Sequence, residues 1–366
     1  MNKKKKKQKL LLIGPLPPPI TGISLANKIV KNSFPKFYED INIIFINTSN
    51  PVFKEKVGKF SFKKIFLYMK QYREIYKIFK VDKVYITPGQ TFWGVLKYSP
   101  YFFVAKFFQK EIIIHSHGNY LHQEYKNLKG IKKKILKKIL SLADKGIVLS
   151  PSLRKNLEPF LPNEKIFEVY NFVEDYIYEK SNLKEFKELK IIYLSNLMEE
   201  KGILDLFESL KILKESHIEF SAKIAGHVDN WLERKVKKYL NDLAPEVKFL
   251  GVVDGKKKKK LLDWGNIFVF PTYYHREAQP ISILESMATG NIILTTKHGG
   301  IPDIFKEGIN GFYIEKKNPK SIVEKLMFIQ KNPELCKKIS QNNILEAKSK
   351  YREEIFIKNL KKVFDS

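Results

Sequence analysis

Two glutamates stand out in the stretch HREAQPISILESMATG, residues 275–290. Glu277 precedes Pro280, and Glu285 follows it inside a helical pattern. Proline suits a first helical turn, because the N–H it lacks would have no partner there. The amides of residues 281–283 are then open donors at the positive end of a helix dipole, which favours a phosphate. At ~1.5 Å per residue, Glu285 sits ~8 Å beyond the helix start. A glycosidase pair needs both carboxyl groups aimed at one bond, ~5–10 Å apart. The spacing here suits the two ends of one long ligand, with phosphates between them.

Other loops add candidates. In YLSNLMEEKGILDLFESL (193–210), Lys201 stands beside Gly202 where a helix begins, a place to clamp a phosphate or simply a solvated lysine. KHGGIP (297–302) is a glycine-rich turn after a strand. IGPLPPPITGIS (13–24) carries Gly14 and Gly22 and leads into a helix from about Ser24. It is neither a dinucleotide fingerprint nor a Walker loop, and a proline-rich surface turn is the alternative. IIIHSHGNYLHQEY (112–125) holds His115, His117 and His122 without an accompanying carboxylate motif, so no metal is expected. His115 reads as a core residue. His117, before a glycine at a strand's carboxyl end, reads as a hydrogen-bonding group at a site.

These loops need a scaffold. KLLLIG, INIIFIN, DKVYIT, EIIIHSHG and KGIVLS are short, β-branched and bounded by breakers, with helical stretches at 24–33, 61–80, 91–109 and 129–143 between them. After about residue 184 the alternation restarts with LKIIYLS, FSAKIAG, EVKFLG, IFVFPT, NIILTT and GFYIE. That order predicts α/β architecture with parallel sheets covered on both faces, in two Rossmann-like halves. The expected domains are 1–183, 184–345 and a C-terminal helix, 346–366, packing back towards the first half. A chain of 366 residues is natural for two domains.

The formal net charge is +28, from 67 basic and 39 acidic residues. Positions 1–183 contribute +20 of it. An anionic partner for the first half follows: nucleic acid, a phosphorylated substrate or an anionic membrane. The basic stretches 129–140 and 59–80, with KKKKK at 3–7, fit a membrane surface; a core-facing stripe with a solvated basic back is the alternative. No recognisable nucleic-acid module interleaves the lysines. A single cysteine, Cys336, excludes an internal disulfide framework and fits a reducing cytoplasm. The N-terminal LLLIG run is too short for a signal-peptide core, and no run of 18 apolar residues exists to span a bilayer. A cytoplasmic protein, peripheral on the inner face of the membrane, is the resulting expectation.

The series GPLPPPITGIS, HSHG, VYNFVE, LSNLMEEKGI, AGHV, FLGVVDGKKKKKLL, FVFPTYYHREAQPISILESMATG and TTKHGGIPDIFKEGINGF resembles the retaining family 4 glycosyltransferases of GT-B fold, bacterial surface-polysaccharide type. The resemblance implies two Rossmann-like domains facing each other across a cleft. It implies metal-independent transfer of a hexose or N-acetylhexosamine from a nucleotide diphosphate sugar, expected to be UDP-linked, to a glycan or polyprenyl-diphosphate-linked acceptor, with no cofactor. Glu277 would bond donor-sugar hydroxyls and Glu285 the ribose. Gln279, Pro280 and Ile281 would offer backbone to sugar and phosphate, Lys201 would neutralise the diphosphate, and Val253 would lie in the base-reading loop. His117 would stand near the reacting centre and Gly22 near the diphosphate. The family's arginine before that lysine is here Asn196, with His227 or Arg276 as substitutes. A basic nucleic-acid- or membrane-binding protein, and a sugar-nucleotide epimerase or hydrolase of the same fold, are the rival readings.

Overall fold

The computed structural model describes residues 8–49, 71–179 and 184–366. The lysine run at 3–7 and residues 59–70 of the second basic stretch lie outside the described residues. The chain divides into two compact units, one of Met1–Asn171 with Glu353–Ser366, the other of Phe172–Arg352.

The first unit holds strands β1 (Gln8–Gly14), β2 (Ile41–Asn47), β3 (Lys83–Ile86), β4 (Glu111–Ser116), β5 (Lys145–Val148) and β6 (Ile166–Glu168). Its helices are α1 (Gly22–Phe37), α2 (Phe92–Leu96), α3 (Ser99–Phe107), α4 (Leu121–Asn127) and α5 (Gly130–Leu140). The sheet order is β2-β1-β3-β4-β5-β6, all parallel. The second unit holds β7 (Leu189–Leu194), β8 (Phe220–Ala225), β9 (Val247–Phe249), β10 (Ile267–Phe270), β11 (Ile292–Thr295) and β12 (Gly311–Tyr313). Its helices are α6 (Ile203–Glu215), α7 (Glu233–Asp242), α8 (Gly255–Trp264), α9 (Ile281–Ala288), α10 (Pro319–Lys331) and α11 (Pro333–Lys350). Its sheet is also parallel, in the order β12-β11-β10-β7-β8-β9.

The central strands are buried on both faces, which is why they read as unbroken apolar runs: every residue of β10 (IFVF) and β11 (IILT) is buried. The last helix, α12 (Glu353–Asp365), belongs to the first unit. Phe364 stacks on Phe34 of α1 at 5.4 Å, and Ser33 donates to Glu353 at 2.9 Å. Lys83 and Lys145, held by Glu111 at 2.6 and 2.7 Å, donate to the last carbonyls of α12. Cations at that end also complement the helix dipole.

Local readings differ in a few places. The expected helix over 91–109 is two helices, with Pro100 in the first turn of the second. Residues 75–80 form a tight 3-10 helix. Strand β6 and helix α4 have no counterpart in the sequence reading, being three and seven residues long.

The second sheet has the doubly wound order in which the chain leaves β7 for β8 on one side and later starts β10 on the other. The loops after β7 and β10 therefore leave the sheet side by side at the point where the strand order reverses, the place where ligands bind in open parallel sheets. Gly202, at φ +78°, lets the β7 loop close on the end of β10, where a Cβ would meet the Pro271 carbonyl oxygen at 2.2 Å. We predict that Gly202→Ala destabilises the protein by at least about 2 kcal/mol, because left-handed strain and backbone overlap add. An unchanged urea midpoint would show that the two loops are not so tightly joined.

Candidate active site

Lys201 ends a 3-10 turn in the β7 loop, and Glu277 lies in the loop after β10. Their side chains meet: Lys201 Nζ donates to Glu277 Oε2 at 2.5 Å, and Thr272 Oγ1 donates to the same oxygen at 3.1 Å. Glu277 is 7% exposed. The ammonium also lies over the rings of Tyr274 and Phe270, at 4.8 and 5.3 Å from their centroids. The glycine-rich turn of residues 297–302 closes on this loop from the other side. Gly299, at φ +58°, has room for no Cβ, which would lie 2.3 Å from the Glu277 carbonyl oxygen. The Gly300 amide donates to the Ala278 carbonyl at 2.9 Å, and His298 bonds the Tyr274 carbonyl at 2.9 Å.

Gln279 and Pro280 are buried, and Pro280 caps α9 with extended backbone. The Ile283 amide turns back to the Pro280 carbonyl at 3.2 Å. Three open amides were expected here. Ile281 and Ser282 supply the unoccupied ones among the described residues, because a tight first turn uses the third.

Glu285, on the inner face of α9, is 3% exposed. Lys258 of α8 donates to Glu285 Oε1 at 2.5 Å and to Glu174 Oε2 at 3.1 Å, with its ammonium 5.6 Å from the Tyr176 ring centroid. Burial raises the Glu285 carboxyl above its ordinary value, against the lowering effect of Lys258. Burial also pulls the Lys258 ammonium down, but Glu285 and Glu174 together outweigh it and hold it above an ordinary lysine. One cation thus serves two buried carboxylates. Val253 lies half-buried in the loop that leads from β9 into α8, five positions before this lysine.

Lys258, Glu174 and Thr272 escaped the sequence reading. A signal for Lys258 existed. It stands three and four positions before Leu261 and Leu262, both buried, so helical spacing puts it on the inner face of α8; Lys259 beside it is buried too, against Asp263, while Lys256, Lys257 and Lys260 are exposed. Asn196, where a cation was expected, is exposed. Of its two candidate substitutes, His227 lies beside it, its carbonyl accepting the Leu197 amide at 2.8 Å. Arg276 Nε donates to His275 Nε2 at 3.1 Å.

The first unit holds the remaining two residues. Gly22 is the exposed first residue of α1, which starts two residues earlier than expected because Thr21 and Ser24 form a reciprocal cap. His117 follows β4 and stacks on His115 at 3.9 Å between centroids. His115 is fully buried, and its Nδ1 bonds the Tyr85 hydroxyl at 2.5 Å. His117 keeps some exposure, but both ring nitrogens are shut away without a partner among the described residues. Burial lowers its pKa to about 3, and lowers that of His115 as well. His117 is therefore a neutral imidazole at physiological pH, able to donate through one nitrogen and accept through the other. Among the described residues, no group of three His, Cys, Asp or Glu side chains could hold a metal ion.

Residues 176–345 match the family model described as glycosyl transferases group 1. An uncharacterised glycosyltransferase of Methanocaldococcus jannaschii, MJ1607, is 30% identical over 198 residues, 48% of this chain and 48% of that protein. The amylovoran biosynthesis glycosyltransferase AmsK of Erwinia amylovora is 31% identical over 144 residues, 37% of this chain and 35% of that one. The chain thus spans about half or less of these two relatives. The crystal structure of Anabaena HepE in complex with UDP and glucose superposes with a TM-score of 0.71 at 15% identity, covering 98% of this chain and 99% of that one. This is a likeness of GT-B fold.

Two outcomes test the site's electrostatics. Lys258→Met leaves Glu285 and Glu174 buried without their cation, and should cost about 3–5 kcal/mol. Adding Glu285→Gln should restore at least about 1 kcal/mol of it; strictly additive losses in urea unfolding would mean the pair is not coupled. The histidines have a pH signature. Their folded pKa values lie below the unfolded value of about 6.5, so below that pH the unfolded chain binds protons that the folded chain refuses. Stability should fall on acidification from about pH 6.5 towards 3, by up to about 1.4 kcal/mol per pH unit for each such histidine. His117→Asn should reduce that slope by about one proton; an unchanged slope would place its ring in water.

Proposed function

We propose that the chain, whose residues 176–345 match the group 1 glycosyl transferase family model, is a retaining, metal-independent glycosyltransferase using a nucleotide diphosphate sugar, UDP-linked. It moves a hexose or N-acetylhexosamine to a glycan or polyprenyl-diphosphate-linked saccharide in bacterial surface polysaccharide synthesis, working peripherally at the inner, anionic face of the cytoplasmic membrane. The observation that carries this reading is the Lys201–Glu277 pair at the switch point of the second sheet, beside the open end of α9.

On this reading the diphosphate takes the amides of Ile281 and Ser282 and draws Lys201 from Glu277. The carboxylate so released accepts hydroxyl hydrogen bonds from the donor sugar. Glu285, kept in place by Lys258, accepts from the ribose, and the loop of Val253 faces the base. The bond from the anomeric carbon to the diphosphate oxygen breaks with its electron pair passing to the diphosphate. Lys201 and the helix amides stabilise that developing charge. The acceptor hydroxyl bonds to the anomeric carbon from the same face, and its proton passes to a diphosphate oxygen. His117 and Gly22 keep the roles that the resemblance gives them.

Glu277→Ala should lower transfer by at least about 100-fold while UDP still raises the melting temperature, because the lost contact is to sugar and not to nucleotide. Full activity in this variant, or loss of UDP binding with it, would contradict the roles given to the two ends of α9.

A further inference from the structure

The sequence offers the lysine-rich stretch 129–140 either to a membrane or as the solvated back of a core-facing stripe, and most of the apolar side of α5 is spent on the core. Leu136, Ile139 and Leu140 are buried, whereas Lys132, Lys134, Lys137 and Lys138 are exposed. The exposed face of the helix is otherwise lysine but for Ile131 at its start, which gives it little to insert. The exposed apolar surface lies on its neighbours, α3 and the 3-10 helix Ile75–Lys80, which pack together; α3 also packs on α5. Phe107 is 79% exposed, Phe79 52%, Phe103 46% and Phe108 44%. Tyr101, Phe102 and Ala105 of the same helix turn inward, so Phe103 and Phe107, four positions apart, form an outward ridge. Phe108 continues it, 5.0 Å from Phe107 and 4.5 Å from Phe79 between centroids. Single exposed apolar residues are ordinary, but a contiguous run of phenylalanines marks a contact surface.

The surroundings say which kind. Residues 76–80 (YKIFK), 103–110 (FVAKFFQK) and α5 (GIKKKILKKIL) contain no acidic residue and nine lysines. The acids that approach are already paired: Asp144 with Lys106 at 2.9 Å, and Glu74 with Lys77. A second copy of the chain would bring lysines against lysines across an isologous contact. An anionic bilayer meets both needs, with headgroups for the lysines and an acyl boundary for the rings.

We propose that Phe79, Phe103, Phe107 and Phe108 insert into the interfacial layer of an anionic lipid bilayer, with the lysines of α5 lying on its headgroups. This locates the membrane partnership proposed above. The test reads lipid binding alone, so its failure leaves the transfer reading standing. The full chain is sedimented with phosphatidylcholine vesicles, with and without phosphatidylglycerol. Wild type should bind only the anionic vesicles. Phe103→Ser/Phe107→Ser should bind on the order of tenfold more weakly at low and high salt alike, since the lost contact is apolar. Lys134→Gln/Lys137→Gln/Lys138→Gln should lose binding at low salt and little at high salt. Phe107→Ser alone, at the most exposed of the four, guards against a folding defect and should show a smaller loss in the same sense. The proposal is overturned if wild type ignores anionic vesicles, or if both serine variants bind like wild type. It is equally overturned if light scattering shows that they merely convert a dimer to a monomer, or if wild type prefers duplex DNA to the vesicles.

Discussion

A carboxylate removed from water must find a cation or take up a proton, and the second unit answers this twice. Lys201 sits on Glu277 and Lys258 on Glu285. The cost of desolvating these charges is met during folding, by partners that the sheet topology delivers: the loops after β7 and β10 for one pair, helices α8 and α9 for the other. Such pairs add little net stability, because desolvation cancels most of their attraction. What they hold is position. On the proposed reading, donor binding is an exchange in which Lys201 leaves a carboxylate for a diphosphate and Glu277 leaves an ammonium for hydroxyl groups. No new charge has to be buried by the protein, so the site is arranged before the ligand arrives.

The two pairs are built differently. Lys201 ends a 3-10 turn and sits beside Gly202, on a loop whose closure depends on positive φ at that glycine. Glu277 is gripped from behind by the Gly299 turn. These are loop residues held by backbone-to-backbone approach, which leaves the side chains able to change partner. Lys258 and Glu285 stand on two helices, with Glu174 as a second carboxylate on the same ammonium. A lysine with two acidic partners has less reason to leave. The first arrangement suits a group that moves to a phosphate, the second a group that stays.

Strand positions were legible because two-sided burial writes itself as apolar runs, and all but one of the described strands could be read that way. β6 could not, since IFE is too short to carry a period. The place of Glu277 and Lys201 followed from strand ends and a helix start, both local signals. Lys258 did not, because a run of five lysines reads as solvated and only its register against Leu261 and Leu262 betrays the inward position. Its partner Glu174 lies 84 positions away, a separation that no periodicity reports. The third open amide of α9 failed for a subtler reason: whether a first turn is α or 3-10 depends on packing, not on residue type.

Net charge pointed to an anion without saying where. The proposed diphosphate contacts use one lysine, Lys201, and backbone amides, and the arginine that would add a second charge is Asn196. The residues assigned to the donor therefore account for almost none of the +28. Positions 1–183 contribute +20 of it, and there the lysines of α5 ride on a helix most of whose apolar side is buried in the core. On the proposed readings, this split corresponds to two anionic ligands of different kinds. One is small, and is recognised by dipoles and a single cation in a crevice where desolvation makes each contact strong. The other is extended, and is met by many exposed charges, each weak and screened by salt. Composition responds to the second and is nearly blind to the first, so charge counting alone would have sought the catalytic anion in the wrong unit.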